Sequence, residues 1–273
     1  VQVIENASVD PVAAAGSVWS SAHDMALWAG FLLAGGVSPS GERLISESSF
    51  AELFRPHAMV DEASFYPTAR ITRPRWTTYG LGWFQADYEG RAVSFHTGSI
   101  DGMSAIVGLV PDEELGVVVL QNRDHAECRH ALLWKVIDLW GGERDGRDWS
   151  AELKPIYDEL AARGEEQRQQ VIENRVADTE PSLPLERYAG RYAHQIYDAV
   201  SVTFTDDALR LVMGPGLAAD LAHWHFDTFE ASFDRPQQGK GLVTFSLDAA
   251  GRPARLDYFG LTFERLPDPP VEE

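Results

Sequence analysis

The sequence predicts an α+β protein made of an antiparallel sheet with packing helices, followed by a small β barrel. Three observations predict it. Strand-like runs follow one another between Thr78 and Asn122, flanked by stretches with helical spacing. A charged helix and a Pro-containing linker then interrupt the strands between about Gly141 and Pro184. After the linker, roughly eight short strand-like pieces occupy about eighty residues at the spacing of a meander.

Taken in order, Val1 to Pro11 is short and polar. In A-A-A-G-S-V-W-S-S-A-H-D-M-A-L-W, Ser20 or Ser21 is placed to cap a helix, with Asp24 in its first turn. Met25, Trp28 and Leu32 follow the helical period, and Gly35-Gly36 ends it. Glu47 to Phe54 reads as a second helix, and a Pro- and Arg-rich loop runs on to Arg75. Y-G-L-G-W-F, R-A-V-S-F-H-T, M-S-A-I-V-G-L-V-P and L-G-V-V-V-L-Q-N read as four strands. Apolar neighbours such as Ile106-Val107 and Val117-Val118-Val119 imply a sheet covered on both faces. His130 to Leu139 would be a helix lying on it. Trp19, Trp28, Trp83, Trp134 and Trp140 are expected to fill the core.

The resulting division is residues 1–145 for the sheet domain, 146–183 for a helical linker, 184–267 for the barrel and 268–273 for a loose tail. The barrel strands are expected at Tyr188–Tyr192, Ala199–Phe204, Leu209–Val212, His223–Phe226, Phe229–Phe233, Val243–Leu247, Arg255–Tyr258 and Leu261–Leu266.

Charge excludes whole classes of partner. With 23 basic and 42 acidic residues the net charge is −19, which repels phosphate backbones and anionic headgroups, so neither nucleic acid nor a membrane surface is an expected partner. No run of eighteen apolar residues exists, and the first twenty lack the pattern of a signal peptide. Cys128 is the single cysteine, so no intrachain disulfide can form; it reads as a small buried group on a helix.

The chemistry-bearing candidate is S-F-H-T-G-S-I-D-G-M, Ser94 to Met103, where His96-Thr97-Gly98 ends a strand and opens a tight turn. Other groupings read as structural. His223-x-His225 lacks a carboxylate at a fixed offset for a metal, and Ser20-Ser21 with His23-Asp24 reads as helix capping rather than a triad. Asp112-Glu113-Glu114 and Glu165-Glu166 read as solvated faces, and His125 and His130 as structural.

His96-Thr97-Gly98, the Tyr-Gly-Leu-Gly-Trp run before it, the Gly-Val-Val-Val-Leu-Gln-Asn strand after it and the A-G-S-V-W-S-S-A-H-D helix start together resemble the serine β-lactamase and penicillin-binding-protein superfamily, class C-like esterases and peptidases in particular. The resemblance covers roughly Ala13 to Trp140, and the later barrel is similar to the lipocalin-like domain often appended to these enzymes. It implies a catalytic role for His96 and for Ser99, whose backbone N–H would be one of two oxyanion-hole donors. It also implies substrate binding by His96, Thr97 and Gly98. A histidine in the lysine position gives a charge that titrates near neutrality, which points toward esters or peptides.

The family's other two motifs are missing. Only Lys135, Lys154 and Lys240 exist, preceded three residues earlier by Leu132, Ala151 and Gln237, so no Ser-x-x-Lys can occur, and no tyrosine begins a Tyr-x-Asn. The expectation is a serine hydrolase acting through an acyl-enzyme on an ester, peptide or β-lactam. This chain would be its C-terminal part, inactive alone and completed by the N-terminal half of the same enzyme. No metal or organic cofactor is implied. The resemblance favours an exported protein. The barrel would cap the cleft, select substrates or join subunits into a homo-oligomer, and these alternatives stay open. The rival is a non-catalytic binding or assembly module derived from the same fold.

Overall fold

The computed structural model describes residues 3, 9, 13–61, 65–100, 102–123, 127–142 and 146–267. It divides into two compact units, residues 1–165 and 166–273. The expected tail 268–273, most of Val1 to Pro11 and His125 lie outside the described residues.

In the first unit, α1 (Ala13–Gly16) and α2 (Ala22–Leu33) precede α3 (Glu47–Leu53). Ser21 is the N-cap of α2, its Oγ accepting from the Asp24 N–H at 3.1 Å, and Gly35 and Gly36 at φ 66° and 84° turn the chain out of the helix. The sheet follows as β1 (Ala58–Met59), β2 (Thr77–Tyr79), β3 (Phe84–Tyr88), β4 (Arg91–Ile100), β5 (Met103–Val110) and β6 (Leu115–Gln121), antiparallel in chain order. The short α4 (Ala69–Thr72) interrupts the loop before β2. Next come α5 (Cys128–Trp140) and α6 (Trp149–Glu173), the latter starting ten residues before the charged stretch that announced it.

Two of the expected strands differ in the structure. Y-G-L-G-W-F is mostly a connection: only its first and last residues lie in β2 and β3. Between them the Gly80 N–H donates to the Trp83 carbonyl at 2.8 Å and the Leu81 N–H to the Leu53 carbonyl at 2.9 Å. β4 is longer than expected and runs through His96-Thr97-Gly98 to Ile100, so the triplet lies inside a strand rather than at its end.

The sheet is covered on both faces. Val93, Phe95, Ile106 and Val117 pack with Leu133, Trp134 and Ile137 of α5, while Leu109 and Val118 pack with Ala29 and Leu32 of α2. Both helices approach the sheet over glycines. A Cβ on Gly108 would lie 2.5 Å from Leu133 Cδ1, and one on Gly116 would lie 3.1 Å from the Cβ of Ala29.

At the end of α5 the buried Asp138 carboxylate accepts from the Tyr88 hydroxyl at 2.8 Å and from the Trp149 indole at 2.6 Å, with Arg91 3.8 Å away. Burial and this acceptor push the Tyr88 phenol well above its usual range. Trp83 and Trp134 are buried as expected, whereas Trp19, Trp28 and Trp140 are exposed; α2 turns Ala29 and Leu32, not Trp28, to the sheet. Cys128, expected to be buried, is exposed at the first residue of α5.

In the second unit, eight strands close into an antiparallel barrel: β7 (Gly190–Ala193), β8 (Val200–Thr205), β9 (Ala208–Gly214), β10 (Leu217–His225), β11 (Thr228–Phe233), β12 (Lys240–Leu247), β13 (Pro253–Tyr258) and β14 (Leu261–Arg265). Each strand pairs with the next in sequence, and β14 returns to β7 through Arg265↔Tyr192. Side chains fill its interior, among them Tyr188, Tyr192, Phe229, Phe245 and Phe263. The Tyr188 hydroxyl donates to Asp227, which also accepts from the Ser182 N–H at 2.9 Å and hydroxyl at 2.8 Å.

Candidate active site

The register around β4 decides what its backbone can do. Two residues separate Tyr88 from Arg91, and two separate Ile100 from Met103, and each flanking pair is in register. A two-residue hairpin loop makes its flanking residues a hydrogen-bonded pair, and such pairs alternate along the ladder. The alternation counted from either turn agrees. Phe95, Thr97 and Ser99 turn their N–H and C=O groups toward the β3 side, and His96, Gly98 and Ile100 turn theirs toward β5.

Yet β3 begins at Phe84, opposite Phe95. Beyond that point no strand pairs with β4 on that side among the described residues. The amides of Thr97 and Ser99 therefore face an open edge, pre-aimed by a ladder that is complete on the other side.

The side chains divide in the same way. Thr97 is buried on the face covered by α5. Its hydroxyl donates to the Ala105 carbonyl at 2.7 Å and accepts from Arg129 Nε at 2.6 Å. Arg129, on α5, is itself 6% exposed. The hydroxyl of Thr97, a residue that the resemblance gives to substrate binding, thus spends its one donor inside the protein.

His96 and Gly98 lie on the other face, where the strand is exposed. The His96 ring stacks at 6.0 Å on Phe84 and lies 6.2 Å from Tyr79, and desolvation lowers its pKa below the usual histidine value. A Cβ on Gly98 would meet nothing within 4 Å, and its φ is not in the left-handed region. Neither packing nor backbone conformation calls for glycine there.

Beside Gly98 and Ser99 is a cavity of about 320 Å³. Its walls are residues 9, 15, 16 and 18–20, together with Gly98–Ile100, Met103–Ala105 and, from β6, Leu120 and Gln121. Thus Gly98 and Ser99 meet at one cavity, His96 stands two residues along the same strand and outside its lining, and Thr97 is behind the sheet.

The sequence reading missed Arg129, which no motif marks, and the Val18–Ser20 segment, which it took as a helix start and core. The remaining candidates are structural. Ser21 and Asp24 are engaged in the α2 cap; His223 Nε2 is 3.0 Å from the Phe226 carbonyl, and His225 Nδ1 accepts from the Val176 N–H at 3.1 Å.

Behind the strand, α5 buries a second histidine. His130 is 1% exposed, its ring 5.0 Å from Tyr66, and its Nε2 has no hydrogen-bond partner among the described residues. Desolvation, with the adjacent Arg129 cation, lowers its pKa to about 3, so it is neutral in the folded protein near pH 7.

The chain is similar in sequence to proteins of known name. The hydrolase of unguisins ungD from Aspergillus violaceofuscus is 30% identical over 134 residues, 45% of this chain and 23% of its own length. A second, ungD' from Aspergillus campestris, is 23% identical over 203 residues, 72% of this chain and 35% of its own length. The chain therefore spans about a quarter to a third of these curated relatives.

Among solved structures, the C-terminal domain of penicillin binding protein Rv0907 is 29% identical, with 34% of this chain and 94% of that one covered at a TM-score of 0.29. The octameric penicillin-binding protein homologue from Pyrococcus abyssi is 16% identical, with 89% and 46% covered at 0.38. Residues 174–268, which include every barrel strand, match a domain of unknown function, DUF3471. Residues 2–139, half of the chain and the whole of the β4 site with its α5 support, match the Beta-lactamase family model, and the chain belongs to that family.

Proposed function

We propose that this chain forms one wall of a serine-hydrolase site that works through an acyl-enzyme on an ester, peptide or β-lactam. One observation carries the proposal: the Ser99 N–H faces an unpaired strand edge beside an open glycine and a cavity. The nucleophile is assigned to a Ser-x-x-Lys segment outside this sequence, with a Tyr-x-Asn segment as the second proton-transfer group. Two relatives named as hydrolases support the reaction class.

In the proposed reaction the serine oxygen attacks the substrate carbonyl while its proton passes to the adjacent base. The carbonyl oxygen becomes an oxyanion that accepts from the Ser99 N–H. Collapse expels the alcohol or amine with that proton, and water then releases the acid and restores the serine. His96, whose charged form is disfavoured by desolvation, hydrogen-bonds the substrate rather than pairing with a fixed anion.

Labelling with a fluorophosphonate tests the reading. A protein that includes the upstream reading frame should label, and this chain alone should not. Labelling of the chain alone would place the nucleophile within these 273 residues and refute the assignment. Ser99→Pro tests the donor itself: an N–H outside the ladder can be lost with the strand retained. In the complete enzyme it should cut turnover by roughly 10²–10³-fold, while His96→Ala lowers turnover without unfolding.

A further inference from the structure

The cavity beside Ser99 has a composition that goes beyond a generic substrate cleft. Its walls bring together Val18, Trp19, Ile100, Met103, Ala105 and Leu120, and among the described residues no Asp, Glu, Lys, Arg or His lines it.

Several of these walls are large apolar side chains left open to solvent: Val18 is 88% exposed, Trp19 62%, Leu120 42% and Ile100 36%. They converge where β4, β5 and β6 meet the segment before α2. The polar groups at the rim come from Ser20, Ser99, Ser104 and Gln121. Of these, the Ser104 hydroxyl is already committed to Gln121 Oε1 at 2.9 Å and the Arg123 carbonyl at 3.0 Å.

We propose that this cavity is a specificity pocket for an uncharged apolar side chain or acyl group of the substrate. The inference rests on the hydrolase reading above and adds to it the substrate class: a carbonyl flanked by a hydrocarbon or aromatic group. Concave apolar walls next to a few fixed donors are the usual composition of a small-molecule site. A carboxylate entering here would lose its hydration and find no cation in the lining, which discriminates against anionic substrates. Ala105, opposite Gly98 in the ladder, sets the depth, and the exposed Leu120 and Ile100 set the width.

The test separates pocket from reaction, because binding needs no nucleophile. The 273-residue chain is labelled with 5-fluorotryptophan, the Trp19 resonance is assigned through Trp19→Phe, and two probes are titrated: neutral N-acetyl-leucinamide and anionic N-acetyl-aspartate. The neutral probe should shift the Trp19 signal saturably and the anionic probe should not. Leu120→Asp, at a position too exposed to hold up the core, should weaken the neutral probe by about tenfold. Ala105→Leu should do the same by filling the space, and the dispersion of the other fluorotryptophan signals reports whether each variant is folded.

An unmoved Trp19 signal, equal response to both probes, or unchanged binding in folded Leu120→Asp would overturn the pocket. Failure of fluorophosphonate labelling in the complete enzyme would instead overturn the hydrolase reading and leave these binding results standing.

Discussion

His130 makes the first unit acid-sensitive by an amount that can be worked out. In the folded protein its ring is buried against Tyr66, and desolvation together with the neighbouring Arg129 cation lowers its pKa to about 3. In the unfolded chain it returns to roughly 6.5. A histidine with a depressed folded pKa contributes no penalty above the unfolded value. As pH falls below about 6.5 the unfolded state takes up a proton that the folded state refuses, and stability is lost until the folded value is reached.

Between pH 7 and pH 5 this amounts to about 2 kcal/mol, a figure unaffected by the folded pKa provided it stays well below 5. The comparison is His130→Leu, which removes the titration and keeps an apolar filler. Urea denaturation followed by tryptophan emission reports the right unit, since seven of the eight tryptophans lie within residues 1–165. The wild type should lose about 2 kcal/mol more than the variant over that interval. Parallel losses, agreeing within about 0.5 kcal/mol, would refute the claim that His130 stays neutral.

Three further outcomes follow from contacts described above. Gly108→Ala drives a Cβ to 2.5 Å from Leu133, which is fully buried, and should cost about 1–3 kcal/mol in the same denaturation assay. Combining it with Leu133→Ala should cost less than the sum of the two, and strict additivity would refute the clash. Thr97→Val deprives the buried Arg129 Nε–H of its acceptor and should cost about 1–3 kcal/mol; a change below about 0.5 kcal/mol would mean the contact is incidental.

The third concerns Tyr188→Phe in the barrel. Burial raises the Asp227 pKa, but donation by Tyr188 and Ser182 outweighs it and the net shift is downward. Stability from this group is therefore present above the usual carboxylate range and lost as pH falls through the folded value. The variant should speed hydrogen exchange of the barrel amides at pH 7 and flatten their acid dependence; unchanged exchange would refute the link.

Much of the fold is legible in the sequence because its signals are local. Val117-Val118-Val119 reports a strand covered on both faces, and the structure puts Val117 against α5 and Val118 against α2. Seven of the eight barrel strands announce themselves through their turns; β10, expected at His223–Phe226, instead runs from Leu217 to His225, and Phe226 lies beyond it at φ 45°. The tryptophans fail for the opposite reason: Trp28 and Leu32 share a helical period, and only the sheet's position decides which of α2's flanks is buried.

The strand bounds around the site fail differently. Glycines at positions 80 and 82 sit in a strand-like run, yet the chain bends there to reach the Leu53 carbonyl, a contact that no local pattern encodes. The His-Thr-Gly triplet is visible in the sequence. That Thr97 belongs to Arg129 is not, because the pairing joins residues 32 apart.

The barrel's closure has a separate consequence for engineering. Since β14 returns to β7, the second unit is a ring without an intrinsic starting strand. Arg265 draws the seam together by donating to the Arg187 carbonyl at 3.1 Å and the Ala189 carbonyl at 2.8 Å. Joining the chain across that seam and reopening it at the Asp206-Asp207 hairpin would preserve all eight pairings. A circular permutant is therefore a natural format for moving an attached partner around the ring's circumference.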